Sequence, residues 1–405
     1  MITKCRSCGS NKLTNVLNLG SQHLSDFLAE GEKRLDKFPL ELVLCKECTL
    51  VQLRTTTPPE KLYTERYGYK SGVNEAIKAD LKDIANKALS FWAKAINYEI
   101  KSPTALDIGA NDGTLLSYYP DYVYKIAYEP VTKFAKECEQ HALIVINDYF
   151  CAEAYPKETP KANIVTAISM FYDLDDPNKF VSDVASILDP NGVFIIQQNY
   201  LVNMLQNHAY DNVVHEHLEY YSLTSLEHLL NRHYLKVVDV EENTINGGSF
   251  RVYVKHMTPL EKMRRREKEL KLDKTGTYLI FGMQVNLLRK KLYKFVKKQV
   301  EAGKTVYCYA ASTRGSTLLQ SCGLDNTLVK AAVERNPEKW GKIMASTRIP
   351  IISEEQARKD KPDFYLILPW FFVDGFIERE KEYLKGGGKF IIPLPKFRVI
   401  GGEDI

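Results

Sequence analysis

The stretch VVHEHLEYYS, residues 213–222, holds two histidines, two glutamates and two tyrosines. It is too polar for a buried core strand and too aromatic for an ordinary loop. Imidazole exchanges a proton near neutrality, and a phenol beside it can hold a developing oxyanion. Three uses of the cluster compete. The histidines could simply bond to nearby backbone. His-x-His could chelate a metal, although no further ligand is evident in the sequence. A histidine or glutamate could act as the base that removes a proton from a substrate carbon, with a tyrosine stabilising the charge that results. In an extended segment His215 and His217 fall on one side and Glu216 on the other.

A second set of chemically capable residues lies near the N-terminus, where Cys5 and Cys8 form one Cys-x-x-Cys knuckle and Cys45 and Cys48 another. Two knuckles supply four thiolates in a tetrahedron, a set that suits Zn(II) and leaves no position open for chemistry, so the expected site is structural. The 36 residues between the pairs exceed the usual ribbon spacing, and free thiols are the alternative. Cys138, Cys151, Cys308 and Cys322 stand singly and are expected to be small buried hydrophobes.

The third set is a glycine-rich turn, LDIGANDG at 106–113, followed by Glu129 and Asp148. The turn is neither G-x-G-x-x-G nor a P-loop, which disfavours a dinucleotide or a nucleoside triphosphate. Glu129, placed at the end of a second strand, can accept hydrogen bonds from ribose hydroxyls, and Asp148, at the end of a third, can bind an adenine amino group.

The elements that must carry these residues follow from the hydrophobic pattern. Strands are predicted at 104–109, 124–130, 143–148, 163–169 and 192–199, separated by segments of helical period, after a helix over about 75–98. This alternation gives a doubly wound parallel α/β sheet. Strands at LKVVDVEEN and SFRVYVKH extend it, the last one antiparallel. The charged LEKMRRREKELKLDK and the amphipathic VNLLRKKLYKFVKKQV read as solvated helix faces. A smaller α/β sheet then starts near residue 304. The expected division is a zinc-binding domain over 1–70, a doubly wound sheet domain over 71–258 and a C-terminal α/β domain over 259–405.

Composition bounds the partners. With 405 residues the chain exceeds what one core serves. Its 55 basic and 51 acidic residues leave a net charge of only +4, which argues against bulk nucleic-acid binding. No run approaches the roughly 18 apolar residues of a membrane span, and the N-terminus lacks an apolar signal core. A cytoplasmic protein is expected.

Taken in order, the paired knuckles, YGYKSGVN, LDIGANDG, HEHLEYYS, NGGSFR, YAASTRGSTLLQ, AVERNPEKWGK, LPW and GGGKFIIPLP resemble the sugar C-methyltransferases of bacterial deoxysugar pathways over nearly the whole chain. The resemblance implies a Rossmann-like class I methyltransferase fold between a zinc domain and a smaller Rossmann-like domain. It implies transfer of a methyl from S-adenosylmethionine (SAM) to carbon, at C-3, of a nucleotide-linked 4-keto-6-deoxy sugar carried by dTDP or GDP. His217 is then the base, Glu216 its orienting partner or a substrate ligand, and Tyr69 a contributor to proton transfer or enolate stabilisation. Ser71, Gly72, Asp107, Gly109, Asp112, Glu129, Asp148 and Ser169 form the expected cofactor set. His215, Asn246, Arg251, Ser312 and Arg314 form the expected substrate set, the last two offering a helix start and a guanidinium to a diphosphate. No feature sets the number of subunits, and a single chain is the expectation.

Three positions depart from the family pattern. Val214 stands where a tyrosine commonly precedes the HEH triplet, Asp173 where a histidine is common, and Phe371 where a histidine follows LPW. The sugar or the methylated atom is therefore expected to differ, and methylation of a hydroxyl oxygen is the nearest rival. A zinc-knuckle RNA-binding scaffold is the more distant one, against which the low net charge and the intact Glu129, Asp148 and His217 weigh.

Overall fold

The computed structural model describes residues 1–404 except 26, 27, 29, 31, 33, 34, 65, 66 and 96–101. It divides into two compact units, 1–264 and 265–405. The first unit opens with three strands, β1 (Leu13–His23), β2 (Lys37–Cys45) and β3 (Val51–Leu53). Helix α1 (Glu75–Ala95) follows. Asn74 caps it, its side chain accepting the Ala76 N–H at 2.9 Å. The predicted end of this helix, 96–98, lies outside the described residues. Its buried residues Leu81, Ile84, Ala85, Ala88 and Trp92 recur at helical spacing and form one apolar stripe.

The alternation then proceeds through β4 (Thr104–Ile108), α2 (Thr114–Ser117), β5 (Tyr124–Tyr128), α3 (Thr132–Cys138), β6 (Ile144–Ile146), β7 (Ala162–Ile168), α4 (Pro177–Ile187), β8 (Leu188–Asn199) and α5 (Leu201–Gln206). After β9 (Glu219–Tyr220) come α6 (Leu223–Arg232), β10 (Leu235–Asn243) and β11 (Ser249–His256). Seven strands form one sheet in the order β10-β11-β8-β7-β4-β5-β6, with β11 antiparallel to both its neighbours. Along a strand successive side chains take opposite faces. Val193 and Ile195 accordingly pack with the α1 stripe, while Phe194 and Ile196 join the core on the other face. The chain steps from β4 to β5 on one side and later to β7 on the other, so the carboxyl end of β4 is the switch point where such sheets bind ligands.

A four-stranded antiparallel sheet, β1-β2-β3-β9, carries the cysteine knuckles. Its last strand comes from far along the chain, with Val51 opposite Tyr220 and Gln52 opposite Glu219. The HEH segment thus runs directly into the zinc domain's edge.

Helix α7 (Pro259–Leu270) leads out of the first unit, and α8 (Thr275–Glu301) belongs to the second. The second unit's six-stranded sheet contains β12 (Val306–Tyr309), β13 (Ala332–Glu334), β14 (Ile351–Ser353), β15 (Phe364–Ile367), β16 (Lys389–Ile392) and β17 (Arg398–Ile400). It is parallel except for the final pair. Helix α9 (Thr313–Cys322) starts on Ser312, whose hydroxyl accepts the Gly315 N–H at 3.1 Å. Among the described residues no helix is long and apolar enough to cross a membrane.

Candidate active site

The glycine-rich turn leaves β4 in left-handed backbone, with φ at 69° for Gly109 and 51° for Asn111. A Cβ at Gly109 would meet the Met170 side chain at 3.0 Å, so the position needs both the glycine conformation and its small size. The Gly109 and Ala110 N–H groups donate to the Tyr128 carbonyl, which fixes the turn against β5. Glu129 accepts the Asn111 and Val131 N–H groups, each at 2.8 Å.

Asn111 also holds the tyrosine-rich segment in place. Its Oδ1 accepts the Ser71 N–H at 2.9 Å and its Nδ2 donates to the Tyr69 carbonyl at 3.0 Å. Beside it, Gly72 N–H donates to Asp112 Oδ2 at 2.8 Å. Residues 69–72 are therefore clamped over the turn, closing a cleft with about 260 Å³ of water-accessible space.

Of the expected cofactor set, Ser71, Asp107, Gly109, Glu129, Asp148 and Ser169 line this cleft, as does Tyr69. Gly72 and Asp112 stand one layer behind. Asp107 is buried and accepts the Thr166 hydroxyl at 2.6 Å. Burial pushes its carboxyl up to about 7, against the pull of that hydroxyl. Burial likewise raises Glu129 in spite of its two backbone donors. Val131 and Phe150 provide apolar wall near Glu129 and Asp148. Carboxylates for a diol and an amine, an apolar slot, and negative charge for a sulfonium make this lining fit SAM in chemistry.

The HEH segment borders the cleft through the turn after β7. Tyr172 stacks obliquely on His217 with ring centroids 4.2 Å apart, and its carbonyl accepts the Leu218 N–H at 2.8 Å. The next residue, Asp173, lines the cleft. His217 Nδ1 lies 3.0 Å from the Asn212 carbonyl. A carbonyl can only accept, so Nδ1 carries the proton and Nε2 keeps its lone pair. Burial pulls the imidazole down to about 4, with the Asn212 bond acting in the opposite sense. His217 itself lines a small adjoining recess with Tyr172, Asn199, Met204 and Tyr220.

The expected substrate residues do not converge in one place within the first unit. His215 is buried and donates from Nε2 to the Phe38 carbonyl on β2 at 3.1 Å. Asn246 is exposed on the turn before β11, while its neighbour Ile245 lines the cleft. Arg251 is buried and bonds to Asp80 at 2.8 Å, Asp83 at 2.7 Å and Gln197 at 2.8 Å. It thereby holds two cleft-lining side chains, Asp80 and Gln197. In the second unit Ser312 caps α9 and the Arg314 guanidinium lies 4.6 Å over the Phe371 ring.

Asn111, Tyr63, Tyr67, Asp80 and Gln197 complete the cleft without having been singled out beforehand. Asn111 and Tyr67 lie inside motifs already recognised, and Tyr63 precedes one of them by four residues. Asp80 and Gln197 carried no sequence signal, since their link through Arg251 exists only in three dimensions.

The four knuckle cysteines form one cluster, with all Sγ atoms within 4.8 Å of one another. The Cys5–Cys48 and Cys8–Cys45 pairs are each 3.5 Å apart. A tetrahedron of zinc–sulfur bonds of about 2.3 Å has edges of about 3.8 Å, so these thiols fit Zn(II). Each knuckle turns through a left-handed residue, Gly9 in one and Thr49 in the other, whose N–H returns to the carbonyl of Cys5 or Cys45.

Fold, cleft and cysteine cluster define a class I methyltransferase with an attached zinc-binding domain. Comparison with known families agrees. A zinc binding domain matches residues 5–63, a methyltransferase domain 77–240 and a C-methyltransferase C-terminal domain 244–395. The C-methyltransferase NovU of Streptomyces niveus is 30% identical over 417 residues, spanning 100% of this chain and 98% of that protein. The chain belongs to this C-methyltransferase family and is a SAM-dependent enzyme with a zinc-binding domain. Similar solved structures include a SAM-dependent methyltransferase from Clostridium acetobutylicum, with 14% identity, 45% of this chain, 92% of that one and a TM-score of 0.34. Another is the CcbJ methyltransferase of Streptomyces caelestis, with 11% identity, 44% and 90% coverage and a TM-score of 0.35.

Proposed function

We propose that the enzyme methylates C-3 of a nucleotide-linked 4-keto-6-deoxy sugar through a base-generated enolate, as part of deoxysugar assembly for a surface glycan or natural product. The observation that carries this reading is the His217 Nδ1–H bond to the Asn212 carbonyl, which leaves the Nε2 lone pair open on a segment bordering the cleft. A carbon beside a ketone becomes nucleophilic only after losing a proton, and a base that is unprotonated at neutral pH suits that step. Bound SAM supplies the electrophilic methyl group.

In this reading His217 Nε2 takes the C-3 proton while Tyr69 and the neighbouring tyrosines steady the enolate oxygen. Glu216 assists substrate orientation. Ser71, Gly72, Asp107, Gly109, Asp112, Glu129, Asp148 and Ser169 hold the cofactor, directly or through the turn. Ser312 and Arg314 meet the diphosphate of a dTDP or GDP sugar, and His215, Asn246 and Arg251 support the sugar's surroundings. The working domains are 1–70, 71–258 and 259–405.

The test is incubation with SAM and a nucleotide-linked 4-keto-6-deoxy sugar in heavy water, followed by NMR and mass spectrometry. Deuterium entering at C-3 ahead of methylation there is the expected result. A methyl on oxygen without exchange would sink the enolate route.

A further inference from the structure

Arg6 lies between the two ligands of the first knuckle, in the order Cys5, Arg6, Ser7, Cys8. Zinc needs only the cysteines, so the side chains between them are free to face water. Arg6 instead turns inward, its side chain only 3% exposed. A guanidinium withdrawn from water has to find acceptors for its N–H groups. Nη1 donates to the Leu53 carbonyl on β3 at 2.7 Å, Nη2 to the Thr56 hydroxyl at 2.8 Å and Nε to Asp175 Oδ1 at 3.1 Å. Thr56 donates to the same Asp175 oxygen at 2.7 Å, which closes a triangle. The knuckle end is fixed as well. Arg6 N–H donates to Gln52 Oε1 at 3.1 Å, and the Gln52 amide donates to Cys5 Sγ at 3.1 Å.

Asp175 belongs to the segment after β7 and lines the cleft beside Leu174. Three residues before it, Tyr172 packs on His217. The strand that follows His217 meets the same guanidinium, since Glu219 Oε1 on β9 lies 3.8 Å from Arg6 Nε. Glu219 is buried, and neither of its side-chain oxygens has a hydrogen-bond partner among the described residues. Burial pushes its carboxyl well above the usual range, with Arg6 pulling against that. One side chain thus touches both segments, three residues past Tyr172 on one and two residues past His217 on the other. In return Asn178, at the start of α4, donates to the Arg6 and Ser7 carbonyls at 2.7 and 2.8 Å.

We propose that Arg6 is a positioning residue for methyl transfer: from the zinc knuckle it holds the segment after β7 against β9, and so keeps Tyr172 packed on His217 and Asp175 at the cleft wall. It touches no reacting atom. Groups behind a metal site and behind a reacting centre act by fixing geometry, and small displacements there cost rate while cofactor contacts persist. The consequence for turnover rests on the proposed part of His217, whereas the consequence for the two segments does not.

The test uses zinc-loaded wild type, Arg6→Met, Asp175→Ala and the double variant. The Asp175 side chain is 61% exposed, so its alanine variant folds whatever Arg6→Met does. Amide exchange read by mass spectrometry covers 170–176, β4 as reference, and the peptide around Leu218, whose N–H is bonded to the Tyr172 carbonyl. Both single variants should keep one zinc per chain and exchange about tenfold faster or more at 170–176 and Leu218, with β4 as in wild type. With SAM saturating and a nucleotide-linked 4-keto-6-deoxy sugar as acceptor, kcat/KM should fall about 10- to 100-fold in Arg6→Met. SAM affinity should stay within about threefold. The double variant should be no worse than Arg6→Met within about threefold, because both changes break one link.

Wild-type exchange at 170–176 and Leu218 in both single variants overturns the proposal, as does equal loosening of β4, which would make Arg6 a general support. Kinetic losses that add in the double variant also overturn it, since Asp175 would then act independently of Arg6. Should Arg6→Met lose its zinc, Asp175→Ala decides by the same exchange criteria. Should the wild type methylate no ketosugar, the ketosugar reading fails, and exchange alone decides whether Arg6 holds the two segments together.

Discussion

His217 is bonded through Nδ1 to the carbonyl of Asn212, five residues earlier in its own loop. That single contact sets the tautomer and leaves Nε2 as the only site where the ring can take a proton. The local chain, rather than a distant carboxylate, orients the proposed base.

Replacing His217 with glutamine should lower kcat by about 10²- to 10⁴-fold, the range typical of a lost general base. SAM affinity, measured by calorimetry, should stay within about twofold of wild type. At saturating SAM, the wild-type kcat/KM for the methyl acceptor should stay level as pH falls from 7 to 5 and decline only as the ring protonates near 4. Turnover in the glutamine variant close to wild type would remove His217 from the mechanism.

The same residue affects stability with a definite sign. The folded pKa of about 4 lies below the ordinary 6.5, so the unfolded chain binds the proton first as pH drops. Stability contributed by neutral His217 is complete above about 6.5 and lost as pH falls toward 4, amounting to about 2–3 kcal/mol at the lower end. Denaturant titrations at pH 7 and pH 4.5 should show a smaller acid loss in His217→Gln than in wild type.

Asp107 behaves in the opposite sense. Its folded pKa is raised from 3.8 to about 7, so ionisation is opposed by folding. The destabilisation develops as pH rises from about 4 to 7 and persists above it. Asp107→Asn should raise the melting temperature of the free enzyme at pH 8, worth about 2–4 kcal/mol, while weakening SAM. In wild type, SAM affinity should fall as pH drops below 7. An Asp107→Asn enzyme that binds SAM normally would remove this carboxylate from the cofactor site.

Arg251 is buried between Asp80 and Asp83. Arg251→Met leaves a half-buried Asp80 facing the cleft without its cation and should cost about 3 kcal/mol, because breaking one side of such a pair strands the other. Adding Asp80→Asn should restore part of the loss. Equal stability of the single and double variants in urea titrations would refute the coupling.

Zinc analysis should return one ion per chain, lost on replacing Cys45 with serine. The HEH segment ends in a strand of the zinc domain, whereas the proposed SAM cleft is built on the seven-stranded sheet. Chelation should therefore lower methyl transfer before it lowers SAM binding. Parallel loss of the two during a chelator titration would contradict this order.

Much of this was legible in the residues themselves. The five parallel strands announce themselves as apolar runs, and the knuckles and glycine turn state their own geometry. Local pattern could not reveal β9, whose two residues, Glu219 and Tyr220, are a strand only because Val51 and Gln52 lie opposite them. Nor could it separate His215 from His217. Both read as chemistry, yet one is bonded to a carbonyl of β2 and the other stacks on a residue next to the cleft. Arg251 read as a substrate ligand through the resemblance of NGGSFR to the family's motif. Its three internal partners become visible only when α1, β8 and β11 are brought together.

The pairing of β3 with β9 also constrains how the chain is made. On the ribosome the knuckles emerge early, but the sheet that carries them lacks its edge until about 170 further residues have been synthesised, a contact of high sequence separation. The last strand of the N-terminal sheet thus arrives together with the proposed base. A nascent chain cannot complete its metal-bearing sheet without also delivering His217, so that maturation of the one reports on arrival of the other.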